Sequence, residues 1–283
     1  MQYRQLFLST IAALCSCASA AFAFGPVIPS PVMTAGGGAM QGQILLPQGV
    51  TKLQLDQNLL AALPQSGSFT LVGFPLDNDR VVDLELEYFE PFSPTADLRV
   101  GYEAEDGTWV QEPGDHRPTA VCYRGVITDQ IGSRVFLSFS TNSNVGLIVN
   151  DQQENFSIAD GQANNQGPLL ITNLSKVADG VMNWNTFTCT TPPQDIPAPA
   201  QAMPPADGMP RSLCRMLEMA IDTDNELYKG FASNKSDEMN YLTQQMGAFC
   251  TVYYQELNID AQLTFARIWT SKPSGYLSYP VRS

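Results

Sequence analysis

Short runs in which apolar and polar residues alternate fill the chain from about Ser68 to Ile158. Val82, Leu84, Leu86 and Tyr88 fall on one side of such a run and Asp83, Glu85 and Glu87 on the other. This period of two is the mark of a half-buried strand. Leu98–Tyr102, Ala120–Ile127, Val135–Phe139, Val145–Val149 and Asn155–Ile158 read the same way. Turn-forming groups separate them: Glu105-Asp106-Gly107, Pro113-Gly114-Asp115, Asn142-Ser143-Asn144 and Asn150-Asp151. Many short strands with such turns predict an antiparallel sandwich or barrel.

The pattern breaks between Thr190 and Arg211, where Pro192, Pro193, Pro197, Pro199, Pro204, Pro205 and Pro210 crowd together. Proline at this density blocks helix and central strand and stiffens the backbone toward polyproline geometry. Beyond it, Leu217, Met219 and Ile221 alternate with Glu218, Ala220 and Asp222, predicting a strand over Arg215–Thr223. Ser236 fits a helix N-cap, with Asp237 and Glu238 in the first turn where the dipole favours anions. Met239, Leu242, Met246, Phe249, Tyr253 and Leu257 follow at spacings of three and four, one face of a helix that ends at Asn258. Leu263, Phe265 and Ile268 open another strand. Strand, helix, strand predicts a crossover onto a parallel sheet.

Composition narrows the choices. The 283 residues allow two modest domains, and 44% hydrophobic residues are enough to fill their cores. A net charge of −13 argues against nucleic acid as a partner, because phosphate binding depends on clustered Lys and Arg. The start reads as an export signal: Arg4, a short apolar run Leu6–Leu14, then Ala18-Ser19-Ala20 and Ala21-Phe22-Ala23 as small-residue exits. A second reading takes Leu14-Cys15-Ser16-Cys17 as a lipoprotein box with Cys17 acylated. The run is too short for a transmembrane helix, which takes about 20 residues. Export places the chain outside the cell or in a periplasm. There Cys122, Cys189, Cys214 and Cys250 are disulfide candidates, with three connectivities open. The expected organisation is a signal peptide at 1–23 and a flexible lead-in at 24–48. A β-rich domain follows at 49–189, a Pro-rich linker at 190–212 and a second domain at 213–283.

Two segments carry a family resemblance. CRMLEMAIDTDNELYKGF at 214–231, the helix after it and LTFARIW at 263–269 resemble the opening of reprolysin-like metzincin catalytic domains, with Glu218 and Asp224 at the matching positions. Upstream, VCYRG, GSRVFLSFS and VGLIVNDQQENFSI at 121–158 are similar to the propeptide preceding such domains. Cys122, Gly125, Gly132, Ser133, Val135, Leu137, Ser138, Gly146, Leu147, Phe156 and Ile158 fit in order. The cysteine often found before the Gly-Leu pair is missing, since Ser143 and Asn144 stand there, which leaves Cys122 to pair with Cys189 or stay reduced. The resemblance implies an α+β chain: an antiparallel β-sandwich-like propeptide, then the opening strand-helix-strand of an α/β metzincin catalytic domain.

What it implies for function is the front portion of a secreted zinc-dependent endopeptidase zymogen acting on protein or peptide substrates. The zinc signature H-E-x-x-H-x-x-G-x-x-H is absent, and the chain's one histidine, His116, lies in a turn-like stretch. Zinc, which needs several converging ligands, is thus expected in the complete protein and is not bindable by this chain, which holds no catalytic residues. Glu218 resembles a carboxylate that helps hold a structural calcium, and Cys189, before the linker, is a candidate propeptide thiol that could cap the zinc. Cys214 paired with Cys250 would join the first strand to the helix, and Arg211 is a candidate activation cut. The competing expectation is a non-catalytic exported binding or adhesion protein that keeps a degenerate peptidase module.

Overall fold

The structure, a computed structural model, describes residues 25–35, 46–160, 167–177 and 215–271. The signal segment, the Pro-rich linker with Arg211, and Cys15, Cys17, Cys189 and Cys214 lie outside the described residues. Among the described residues no helix is long and apolar enough to cross a membrane.

A curled ten-stranded sheet dominates the molecule. It is built from β1 (Val27–Pro29), β2 (Val32–Thr34), β3 (Val50–Leu55), β4 (Ser68–Pro75), β5 (Val81–Phe89), β8 (Val121–Ile127), β9 (Arg134–Phe139), β10 (Asn144–Val149), β11 (Asn155–Asp160) and β12 (Leu169–Asn173). Its order is β1-β4-β5-β8-β9-β10-β11-β12-β3-β2. The two edge strands are joined by only Ser30 and Pro31, so the edges meet and the sheet closes on itself as a barrel. Hydrogen bonds on both sides seal the junction: the Ser30 amide donates to the Val72 carbonyl at 2.8 Å and the Asp56 amide to the Pro31 carbonyl at 2.7 Å. Closure removes the unpaired edges that would otherwise template aggregation. Residues 27–34, expected as part of a flexible lead-in, are thus the strands that close the barrel. Pro29 and Pro31 are tolerated there because the chain changes partner at that point.

The barrel interior is filled mainly by apolar side chains. Phe69, Phe74, Leu71, Leu84, Tyr123, Val135, Leu137, Ile148, Phe156 and Ile171 are buried in one cluster, and the Phe69 and Tyr123 rings meet edge to face at 5.3 Å. One end is capped by charge. Arg80 binds Asp77 at 2.8 Å and Glu154 at 2.6 Å, and Glu154 also accepts from Asn150 at 2.8 Å and Asn173 at 3.1 Å. A short helix α1 (Gln57–Ala61), N-capped by Asp56, follows β3.

The second sheet has four strands in the order β13-β14-β6-β7: β13 (Arg215–Asp222), β14 (Ile259–Trp269), β6 (Phe92–Glu103) and β7 (Trp109–Pro113). As the crossover pattern predicts, β13 and β14 are parallel and are linked through helices α2 (Asn225–Gly230) and α3 (Lys235–Leu257). The helix starts earlier than expected: Asn234, not Ser236, is the N-cap and accepts from the Ser236 and Asp237 amides. Asn258 ends it in the left-handed conformation, φ 53°. One face of this sheet packs on α3 through Phe92, Leu98, Met239, Leu242, Leu263 and Ile268. The other carries Trp269, whose ring covers Gly101 and meets Trp109 at 5.1 Å.

These findings correct the expected fold class. Among the described residues strand accounts for 49% and helix for 18%, a mostly β structure with a large curled sheet rather than a sandwich-like propeptide followed by an α/β metzincin domain. The physical reason lies in β6 and β7. They come from the first half of the chain, between barrel strands β5 and β8, yet β6 pairs in parallel with β14. A strand-helix-strand unit alone leaves a sheet edge bare. Here two strands of the other half cover it, so the second sheet is assembled from both sides of the linker.

Candidate functional site

Helix α3 lies between the two sheets and is buried on both sides. Toward the barrel its contacts are polar and directional. The Asn240 side-chain oxygen accepts from the Thr119 amide at 2.7 Å and the Ala120 amide at 3.0 Å. Gln244 donates to the Ser143 carbonyl at 3.0 Å and Gln255 to the Gly125 carbonyl at 2.8 Å. Closest approach is at Gly247, where a Cβ would stand 2.6 Å from the Phe136 ring and 3.2 Å from the Cys122 sulfur. Arg124 completes the joint, paired with Glu87 at 2.6 Å and Asp260 at 3.3 Å and stacked between Phe89 and Tyr254 at 4.8 Å and 3.6 Å. Arginine suits such a place because its flat, weakly hydrated cation stacks and pairs at once.

The residues singled out in the sequence are dispersed by the fold. Glu218 is an exposed side chain on β13, opposite Gln262 of β14. Among the described residues no group of three or more His, Cys, Asp or Glu could hold a metal ion. His116 is half buried with neither ring nitrogen hydrogen-bonded, and burial followed by the Lys235 charge lowers its pKa. Cys122 and Cys250 are buried free thiols, donating to the Ser138 hydroxyl at 3.3 Å and the Ala261 carbonyl at 3.0 Å. Burial pushes both up to about 12, so neither is a ready nucleophile or ligand. Their expected partners, Cys189 and Cys214, lie outside the described residues.

Where α2, the start of α3 and the rim of the barrel meet, they enclose a groove of about 460 Å³. That is within the usual size range of small-ligand sites. The β9–β10 turn contributes Asn142, Ser143 and Asn144, the end of β11 contributes Asp160, and the helices contribute Phe231, Asp237, Tyr241 and Gln244. Asp160 is fixed by Asn144, whose amide donates at 2.6 Å and whose side-chain NH2 donates at 3.3 Å. Burial raises the Asp160 pKa. Asp237 accepts from Asn142 and, at 2.7 Å, from Asn234. The Phe231 and Tyr241 rings stand 5.2 Å apart, centroid to centroid. A second, smaller cavity of about 290 Å³ lies where β5 passes into β6, lined by Tyr88 to Pro94.

Sequence reasoning read Asn142-Ser143-Asn144 as a turn and did not single out Asp160, Phe231 or Tyr241. One signal was present: Asn240, Thr243 and Gln244 are polar positions on the helix that are all buried, which a helix with one solvated face would not need. No protein-family model matches the chain, and no curated protein matches it either.

Proposed function

We propose that this chain is the front portion of a secreted zinc-dependent endopeptidase zymogen, in which the barrel serves as assembly partner and restraint for the module after the linker. The observation that carries this reading is the shared sheet. Residues 92–113 leave the barrel, form β6 and β7, and extend the β13–β14 pair, while α3 is held between that sheet and the barrel. A module that borrows strands from the segment before it depends on that segment to fold, as a peptidase depends on its propeptide. The sequence resemblance at 121–158 and 214–269 supports the same order of parts. Zinc would be held by residues beyond those of this chain, whose single histidine cannot supply a site. There it would activate a water for attack on a peptide carbonyl.

The test uses the natural gene product purified from its host. It is nicked within 190–212 by limited proteolysis and assayed on casein with and without 1,10-phenanthroline. Casein hydrolysis that appears on nicking, stops with the chelator and returns with added zinc is the expected result. Absence of hydrolysis after complete nicking, or hydrolysis indifferent to the chelator, would overturn the proposal.

A further inference from the structure

We propose that the groove between the β9–β10 turn, the end of β11 and the start of α3 binds an organic cation, an alkylammonium or guanidinium group. The inference is independent of the zymogen reading. Its walls hold two carboxylates, Asp160 and Asp237, and no Lys, Arg or His. Anionic ligands are therefore disfavoured. Neither carboxylate is in an ion pair with any described residue, although Arg80, Arg99, Arg124, Arg134, Lys176 and Arg267 all are.

The Asp160 carboxyl is desolvated and held in one orientation by donors from Asn144, and a raised pKa is what a carboxylate shows when burial is not offset by a positive neighbour. Asn144 itself is only 8% exposed, and its side-chain oxygen has no hydrogen-bond partner. The charged groups of the groove lining are thus both acceptors, which favours a ligand that donates. Phe231 and Tyr241 form an aromatic wall beside the acids, and a ring face together with carboxylates favours a cation over a neutral donor. The same chemistry is offered by a free amine and by a Lys or Arg side chain on a peptide.

The experiment titrates the full chain with agmatine, with acetyl-Gly-Arg-Gly-amide and with glucose, by calorimetry. The variants are Asp160→Asn and Tyr241→Ala, the second at a side chain 37% exposed whose loss leaves the core intact. Saturable agmatine binding that weakens about tenfold in D160N, weakens in Y241A and falls as salt is raised is the expected result. Tighter binding of the peptide than of agmatine assigns the cation to a polypeptide side chain, and equal binding assigns it to a small free amine. Glucose binding as well as agmatine, no saturable binding of either cation at millimolar concentration, or agmatine binding that survives both substitutions would overturn the inference.

Discussion

The barrel and the helix-backed sheet hold themselves together by different means. Inside the barrel the packing is mainly apolar, from Phe69 to Ile171, and the charged groups Arg80, Asp77 and Glu154 gather at one end. Around α3 the apolar side faces the second sheet, while the barrel side is a row of buried amides and hydroxyls, Asn240, Thr243, Gln244 and Thr251. Apolar packing is non-directional and tolerates small adjustments. Hydrogen bonds from Asn240 and Gln244 to main-chain groups at Thr119, Ala120 and Ser143 fix both the height and the rotation of the helix. The barrel strands are thus held by apolar contact, and the second sheet is placed against them by directional bonds through α3.

The largest expected effects come from two glycines that test the two joints separately. A Cβ at Gly125 would lie 1.9 Å from the Glu85 carbonyl oxygen, main-chain atoms that cannot step aside without breaking the β5–β8 pairing. Gly125→Ala is expected to cost about 3 kcal/mol or more in urea denaturation. At Gly247 the obstacles are the ends of side chains, Phe136 and Cys122, so Gly247→Val is expected to cost about 2 kcal/mol. Its signature is local: hydrogen exchange should speed up in α3 and the second sheet while the barrel amides stay protected. Uniform loss of protection in G247V would show that the two regions fold as one unit.

Asn240→Leu probes the polar joint directly. It leaves the Thr119 and Ala120 amides without their acceptor at a half-buried seam, an expected loss of about 2 kcal/mol. If N240L is as stable as the parent, those amides have water in reach and the joint is not specified by that bond.

Much of this organisation was written in the alternation of residues. Strands form within the runs at 82–88, 98–102, 120–127, 135–139, 145–149 and 155–158, the helix ends at Asn258 and a parallel strand covers 263–268, although β6 begins at Phe92 and β14 at Ile259, ahead of the alternation. What the pattern could not carry is partnership. Nothing in Leu98–Tyr102 distinguishes a barrel strand from one that crosses to another sheet, because the alternation is the same for either. Val27–Thr34 is too short and too proline-marked to read as strand without the two edges it bridges. The groove was invisible for a related reason. Asp160, Asn144 and Tyr241 are ordinary polar or aromatic residues until three distant elements bring them together.

A smaller effect is expected at the barrel's capped end. Hydrogen bonding from Arg80, reinforced by Asn173 and Asn150, holds the Glu154 carboxyl down at about 2 against an ordinary 4.5. A group lowered on folding contributes stability above its unfolded pKa and loses it as pH falls. The contribution is thus present above 4.5 and fades toward 2. Glu154→Gln should cost about 1–2 kcal/mol at neutral pH, discounted for partial exposure, and flatten the acid limb of the stability profile. An acid limb unchanged in E154Q would assign it to other carboxylates.

The smallest effect has the opposite sign and arises where the two regions differ most. Glu238, in the first turn of α3, is fully buried and neither carboxylate oxygen has a hydrogen-bond partner. Burial drives its pKa above the ordinary 4.5 and the Asp224 charge adds to this, while the Thr223 hydroxyl acts against it without reaching hydrogen-bond geometry. A carboxyl raised on folding favours the native state fully below 4.5, and that contribution is lost as pH climbs through the folded value. Glu238→Gln keeps the shape and removes the charge. It should match the parent at pH about 4 and exceed it at pH about 7, because only the parent must then either hold a buried charge or take up a proton to fold. Urea midpoints at the two pH values decide it. A Gln variant weaker than the parent at neutral pH would mean that the Glu238 carboxylate has a positive partner in solution, a bound cation or a displaced side chain, and that the polar side of α3 is more completely matched than its neighbours in the fold indicate.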